Sequence, residues 1–302
     1  MQRAKAGAAV QLIMVPHRVG DVSVRQVIEQ RGPSFAPEFL FPDWDPVALE
    51  QNRKLIVPDC FDEREGCFIS SIHTWVVRTR HHTILIDSCA GSHKNRPSLP
   101  RFHQLDLPFL QKLGDAGVSP EAVDYVMCTH LHVDHCGWNT RLLDGRWVPT
   151  FPKARYLFAD RELAYWTAEH GKDAAALPWI TDSVLPIVAA GRAEVVKSDH
   201  RLNELVQLIA TPGHTIDHYS VRVGREHQDA VITGDMIHSP LQARYPELGM
   251  RADYDSKQAG KSRRELFARV CDTPTLMCIV HFPAPSIGRL TRWDDGFRFV
   301  PT

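Results

Sequence analysis

From residue 69 onward the chain alternates short apolar runs with clusters of turn-forming residues. Residues 72–78 alternate enough for a strand, His81 and His82 fall in the turn that follows, and residues 83–87 (T-I-L-I-D) are a compact apolar run ending at Ser88-Cys89-Ala90-Gly91. Period-two alternation and a short apolar run bounded by turn residues mark strands, so these two predict a hairpin. Leu105, Phe109, Leu110 and Leu113 recur at helical spacing until residues 114–117 end the pattern, and Ser119-Pro120-Glu121 opens a short turn before an apolar strand over residues 123–128. Further on, residues 154–159 predict a buried strand, with Asp160 as N-cap of a helix running to His170. Residues 194–196, 206–210, 219–223 and 230–233 predict further short strands. A helix opened near Asp255-Ser256 and closed by residues 266–270 precedes a final strand over 275–280. Such alternation packs most naturally as two mixed sheets with helices outside.

The first third of the chain is less regular. An apolar run at residues 8–15 is interrupted by Gln11 and followed by no small-residue cleavage pattern, which predicts an N-terminal strand rather than a leader. Residues 32–58 carry prolines together with Phe35, Phe39, Phe41 and Trp44 without a clear period, as an arm that covers another surface would. The expected organisation is therefore a strand and wrapping arm over residues 1–68 packed on a body over residues 69–302. The arm has two surfaces to choose from: its own body or a twin subunit, which would make a homodimer through the arm.

Composition narrows the function. The 302 residues are 43% hydrophobic and 24% charged, an ordinary globular balance, and 35 Lys and Arg nearly match 36 Asp and Glu. No basic block is present, so nucleic acid and anionic membrane are poor partners and a small neutral substrate fits better. Seven cysteines, an odd number without a C-x-x-C pair, argue against a disulfide framework and predict reduced thiols in a cytoplasmic setting. No segment approaches the roughly 20 apolar residues of a membrane span.

The chemistry concentrates in residues 129–137, T-H-L-H-V-D-H-C-G, which set three histidines and an aspartate within six positions after a predicted strand. Imidazoles and carboxylates suit a borderline divalent cation, and each costs desolvation energy if buried without a partner. His130 and His132, two apart, share one side of an extended backbone, so this loop could serve two adjacent cations. Cys136 reads as a small packing residue, and His81, His82 and His93 as surface residues. Asp87 either supports the histidine loop from behind or caps the Gly91 turn. Three later strands also stop on ligand-type residues: 208–210 leads to His214, 231–233 to Asp235 and 277–280 to His281.

In this order the set resembles the metallo-beta-lactamase superfamily, whose H-x-H-x-D-H run is followed by a distant histidine, a bridging aspartate and a last histidine. The likeness covers roughly residues 69 to 299, which would make residues 69–302 the catalytic domain. It implies an α/β fold, a four-layer αββα sandwich with the N-terminal extension added, and two divalent metal ions, zinc by default. His130, His132 and His214 would hold the first, and Asp134, His135 and His281 the second, with Asp235 bridging. Asp134 beside His135 looks like the binuclear hydrolases of the family, in which a hydroxide between the cations attacks the substrate and Asp134 and Asp235 hold it in place. Lactonases of the family often place a tyrosine three residues after the bridging aspartate, where this chain has His238; that residue would assist in polarising the substrate oxygen. The run G-D-M-I-H-S-P over residues 234–240 and the closing G-R-L-T-R-W-D-D-G-F-R-F-V-P look similar to the methyl parathion hydrolase branch. The function implied is hydrolysis of a neutral lactone or of a carboxylic or aryl ester, with an organophosphate triester as the alternative. A diiron redox member of the fold is more remote, since His132 stands where those proteins offer glutamate. Phe61, Trp138, Tyr245 and Phe282, with His238, are candidates for the substrate wall, each equally suited to packing.

Overall fold

The computed structural model describes residues 15–302, so the strand expected over 8–15 lies, apart from Val15, outside the described residues. Two sheets face one another. The first runs, edge to edge, through His17–Val19, Val22–Pro33, Cys67–Arg78, Thr83–Ile86, Tyr125–Met127, Arg155–Ala159 and Ala193–Val196, with the two-residue Phe61–Asp62 paired beside Cys67–Arg78. The second runs through Arg201–Asn203, Val206–Ala210, Tyr219–Arg225, Gln228–Ile232, Leu276–Cys278, Ile287–Trp293 and Gly296–Pro301.

Strand periodicity explains the layering. In Thr83–Ile86, Ile84 and Ile86 point between the sheets, where they meet Leu208, Val221 and Ile232, while Leu85 points outward to Phe109 and Leu113. The second sheet repeats the device: Cys278 faces inward, and Met277 packs outward against Leu266 and Phe267 of the helix Ser256–Val270. Helix, sheet, sheet and helix therefore stack in four layers, the αββα arrangement that the sequence resemblance implied.

Several boundaries differ from those the sequence predicts. Leu105 precedes its helix, which spans Phe109–Asp115, because Pro108 stands at its N-cap position. Asp160 is the first residue of the helix Asp160–Lys172 rather than its cap, a place that Ala159 takes. Val22–Pro33 is a long strand paired with Cys67–Arg78, a strand not predicted from the sequence. Val22 and Val24 are buried between the sheets, Val27 is buried on the opposite face, and the polar Gln26 and Glu29 are buried as well. Within the arm, Pro46–Ile56 is a helix capped by the Asp45 side chain on Val47 N. Leu40, Phe41 and Ile56 of the arm bury against Phe61, Phe68, Leu241 and Met250 of the same chain. Among the described residues no helix is long and apolar enough to cross a membrane.

Candidate metal centre

The loops that follow Tyr125–Met127, Val206–Ala210, Gln228–Ile232 and Leu276–Cys278 converge at one edge of the sandwich. They bring together all seven residues that the resemblance assigned to metals. His132 Nδ1 lies 3.0 Å from both His130 Nε2 and His214 Nε2, and Asp235 Oδ2 is 3.6 Å and 3.3 Å from those two nitrogens. On the other side, Asp235 Oδ1 lies 3.1 Å from His135 Nε2 and 3.0 Å from His281 Nε2. Asp134 adds an oxygen 3.7 Å from His135 Nε2 and another 3.8 Å from His281 Nε2. One carboxylate thus presents one oxygen to each of two donor groups.

Protons alone do not satisfy this arrangement. A ring nitrogen offers either one proton or one lone pair, so His132 Nδ1 cannot complete its contacts to both neighbours. His281 Nδ1 faces the carbonyl oxygen of Ser71 at 3.1 Å and must donate to it, which turns Nε2 to the Asp235 carboxylate at 3.0 Å. His135 Nε2 and Asp235 Oδ1 are both buried, and neither has a hydrogen-bond partner among the described residues. Orphaned buried donors and acceptors of this kind are costly unless a cation sits among them. Bonds of 2.0–2.1 Å in a tetrahedral shell would set ligand atoms roughly 3.3 Å apart, and the separations here cluster about that value. The donor set fits divalent metal.

Burial and charge give the same picture. Burial drives His130 and His132 well below the ordinary histidine range, with neighbouring rings pushing the same way. Burial acts in that direction on His135 and His214 too, but Asp235 and the carboxylates behind them overturn it, holding His135 well above that range and His214 at about 9. Although burial disfavours its charge, Asp235 is kept far below the carboxylate range, first by His135 and then by His281. A carboxylate-rich pocket that draws positive charge this strongly is suited to a cation.

Behind the donors lies a layer that orients them. Asp87 accepts from Thr129 N at 2.8 Å and faces His135 Nδ1 at 2.9 Å, which decides its role in favour of supporting the histidine loop. Asp253 holds His214 Nδ1 at 2.9 Å, and His218 Nε2 accepts from Asp235 N at 2.9 Å. Glu162 accepts from Leu131 N and Asp217 N, tying the histidine loop to the loop of His214. Gly137 is required by closeness: a Cβ there would meet Ala90 O at 1.9 Å, where the loop crosses the 89–91 turn. Cys136 is buried against His132 O and belongs to none of the donor groups. Asp253, His218 and Glu162 carry no sequence signal, being isolated polar residues whose partners lie far along the chain.

A cavity of about 220 Å³ opens onto the centre. His238 lines it, with Nε2 3.0 Å from Asp235 Oδ2, and burial lowers that ring to about 4. The other expected wall residues are elsewhere. Trp138 stacks on Phe109 at 5.4 Å and donates to Glu29 at 2.7 Å; Phe61 packs edge-on to Phe68. Phe282 packs edge-on to Phe299, and the Tyr245 hydroxyl accepts from Asn52. Each is consumed by packing or a structural hydrogen bond, and the wall is made instead by residues such as Phe35, Leu40, Phe102, Trp179 and Met250.

Fold and donor set together describe a two-sheet αββα sandwich with a His/Asp cluster suited to divalent metal. The family model of the metallo-beta-lactamase superfamily matches residues 69–276, and the chain belongs to that superfamily. Among curated proteins it is similar to an N-acyl homoserine lactonase from Bacillus sp., 25% identical over 116 residues. That match covers 38% of this chain and only 39% of the relative's length. Among solved structures it is similar to the hydrolase AbOPH of the beta lactamase superfamily, with 24% identity, a TM-score of 0.77 and coverage of 96% of this chain and 97% of the other. It is also similar to AidC, a dizinc quorum-quenching lactonase in complex with a product, N-hexanoyl-L-homoserine: 19% identity, TM-score 0.75, with 96% and 97% covered. At these identities the structural likeness shows a shared fold.

Proposed function

We propose that the protein is a binuclear metal-dependent hydrolase of neutral lactones or of carboxylic and aryl esters, with zinc as the metal in both positions. The observation that carries this reading is Asp235, whose two oxygens face two separate groups of histidine nitrogens. His130, His132 and His214 would hold the first ion, Asp134, His135 and His281 the second, and Asp235 both. When bound, such a pair supplies Lewis acidity and lowers the pKa of water from about 15.7 towards about 7.

The rest of the task falls to the chain. Asp134 and Asp235 are acceptors on the face of the cavity, placed to take the hydrogen of an attacking water and aim its lone pair at the carbonyl carbon. His238 lines the cavity with Nε2 3.0 Å from Asp235 Oδ2, and with Asp235 engaged by metal that N–H would be the donor for the oxygen on which negative charge develops. The apolar wall excludes bulk water and strengthens both interactions. Lactonase relatives support the choice of substrate. The wall gives a neutral phosphotriester the same apolar surface, which makes that class the second reading.

Purified protein is expected to contain two zinc ions per chain by elemental analysis, and to hydrolyse p-nitrophenyl acetate and γ-lactones until a chelator removes them. Undiminished turnover in metal-stripped protein would refute the proposal, and cleavage confined to phosphotriesters would replace it with the second reading.

A further inference from the structure

We infer that Arg101 is a specificity-determining residue that receives a neutral carbonyl oxygen of the substrate, on the part remote from the bond that is broken. The inference rests on the hydrolytic reading above and gives it a more defined substrate class: an apolar acyl compound with a second carbonyl.

Arg101 sits in the short turn Pro100–Phe102 and is the only lysine or arginine among the described residues that line the cavity. Around it the wall is apolar, contributed by Phe35, Phe68, Ile72, Phe102 and Met250. A guanidinium in such a wall loses hydration, and burial accordingly moves it down from its ordinary value, with Asp134 acting against the change. Its known partners return only part of that loss. Nη1 donates to the carbonyl oxygen of Pro33 at 3.2 Å and Nη2 to the Ser70 hydroxyl at 2.8 Å. Arginine carries five N–H groups, and among the described residues the others have no partner.

The two existing bonds explain why this arginine, and not a mobile surface one, would read a substrate. Pro33 ends the strand Val22–Pro33, and Ser70 lies on its partner Cys67–Arg78. The fork is thereby fixed to two strands of the sheet, and little side-chain freedom remains to be lost on binding. The negative charge of Asp134, which acts on Arg101, and of Asp235 on the same cavity would repel a carboxylate, so a neutral carbonyl oxygen is the fitting acceptor. Ser34, also on the lining, already gives its hydroxyl proton to Phe68 O, and the Trp179 N–H goes to Leu131 O.

Zinc-loaded wild type, Arg101→Gln and Arg101→Lys are compared on N-hexanoyl-L-homoserine lactone, which has an amide carbonyl beyond the ring, and on α-hexyl-γ-butyrolactone, which has none. Arg101→Gln is expected to lose roughly 10- to 100-fold in kcat/KM on the amide lactone, mostly through KM, the scale of one hydrogen bond to a charged group. On the alkyl lactone it should stay within about twofold. Arg101→Lys, which keeps a cation at the wall, should recover part of the preference, with zinc content unchanged in both variants. Equal losses on the two lactones would mean that Arg101 only braces the fold, and would overturn the inference. Wild type inactive on both lactones would instead remove the hydrolytic reading, and this inference with it.

Discussion

The candidate metal centre and the cavity that opens onto it occupy the same edge of the sandwich but are assembled differently. The seven donors stand at the ends of strands, within loops that each begin where a buried apolar run stops, and most are braced by a second polar residue such as Asp87 or Asp253. The wall draws on the arm (Phe35, Leu40), the turn after residue 99 (Arg101, Phe102), the π-helical bend before which Trp179 stands, and Met250. The centre is therefore defined by chemistry that tolerates almost no exchange of atom types. The wall is defined by shape, which many apolar side chains could supply. Lesions in the first should be all-or-none and lesions in the second graded.

The largest effect should come from altering the proposed donors. Asp235→Asn, or His132→Ala, is expected to lower kcat/KM about 10³-fold, since several kcal/mol of transition-state stabilisation depends on the site and each ~1.4 kcal/mol is tenfold. Metal analysis should show a fall in zinc while far-ultraviolet circular dichroism stays unchanged. A variant that retains full activity would break the ligand assignment.

A smaller effect tests the scaffold behind the wall. Lys94 and Arg96, both fully buried, share the single carboxylate of Asp182, which lies in the π-helical segment next to Trp179. Burial lowers Lys94 to about 8, although Asp182 pulls the other way. The folded chain therefore releases this proton before the unfolded chain does, and stability should rise between about pH 8 and 10.5, by roughly 3 kcal/mol. Lys94→Met, which leaves the Arg96–Asp182 pair in place, should flatten that rise in denaturant titrations across the range. An unchanged slope would show that Lys94 keeps its proton in the fold.

The smallest effect belongs to the wall itself. Phe35, part-exposed and stacked on Phe39 at 5.2 Å, contributes apolar surface and no polar contact. Phe35→Ala should raise KM for long-chain esters about tenfold, the worth of roughly 1.5 kcal/mol of apolar burial, and leave kcat nearly unchanged. A loss of kcat as large as that of Asp235→Asn would erase the distinction between the two regions.

What could be read in advance follows the same division. His130, His132, Asp134 and His135 stand within six positions, and His214, Asp235 and His281 each follow an apolar run, so their grouping is visible along the chain. Helix and sheet order from residue 69 onward was legible for a related reason: buried strands here are short, apolar and bounded by turn residues. The strand Val22–Pro33 was not, because polar Gln26 and Glu29 occupy buried positions in it and break the apolar alternation. Phe61, Trp138, Tyr245 and Phe282 stood as wall candidates and Met250 did not, since nearness in sequence to a ligand says little about the direction in which a side chain points.

The sequence by itself determined the donor chemistry, the family and the two-sheet layering, because ligand types and apolar periodicity are properties of individual residues and their spacing. Only the tertiary structure decided that Asp253, His218 and Glu162 brace the centre, that Arg101 enters an apolar wall, and that Trp138 and Tyr245 stay out of it. Those roles depend on contacts between residues tens to hundreds of positions apart, and an isolated carboxylate or aromatic ring looks the same in the sequence whichever neighbour the fold gives it.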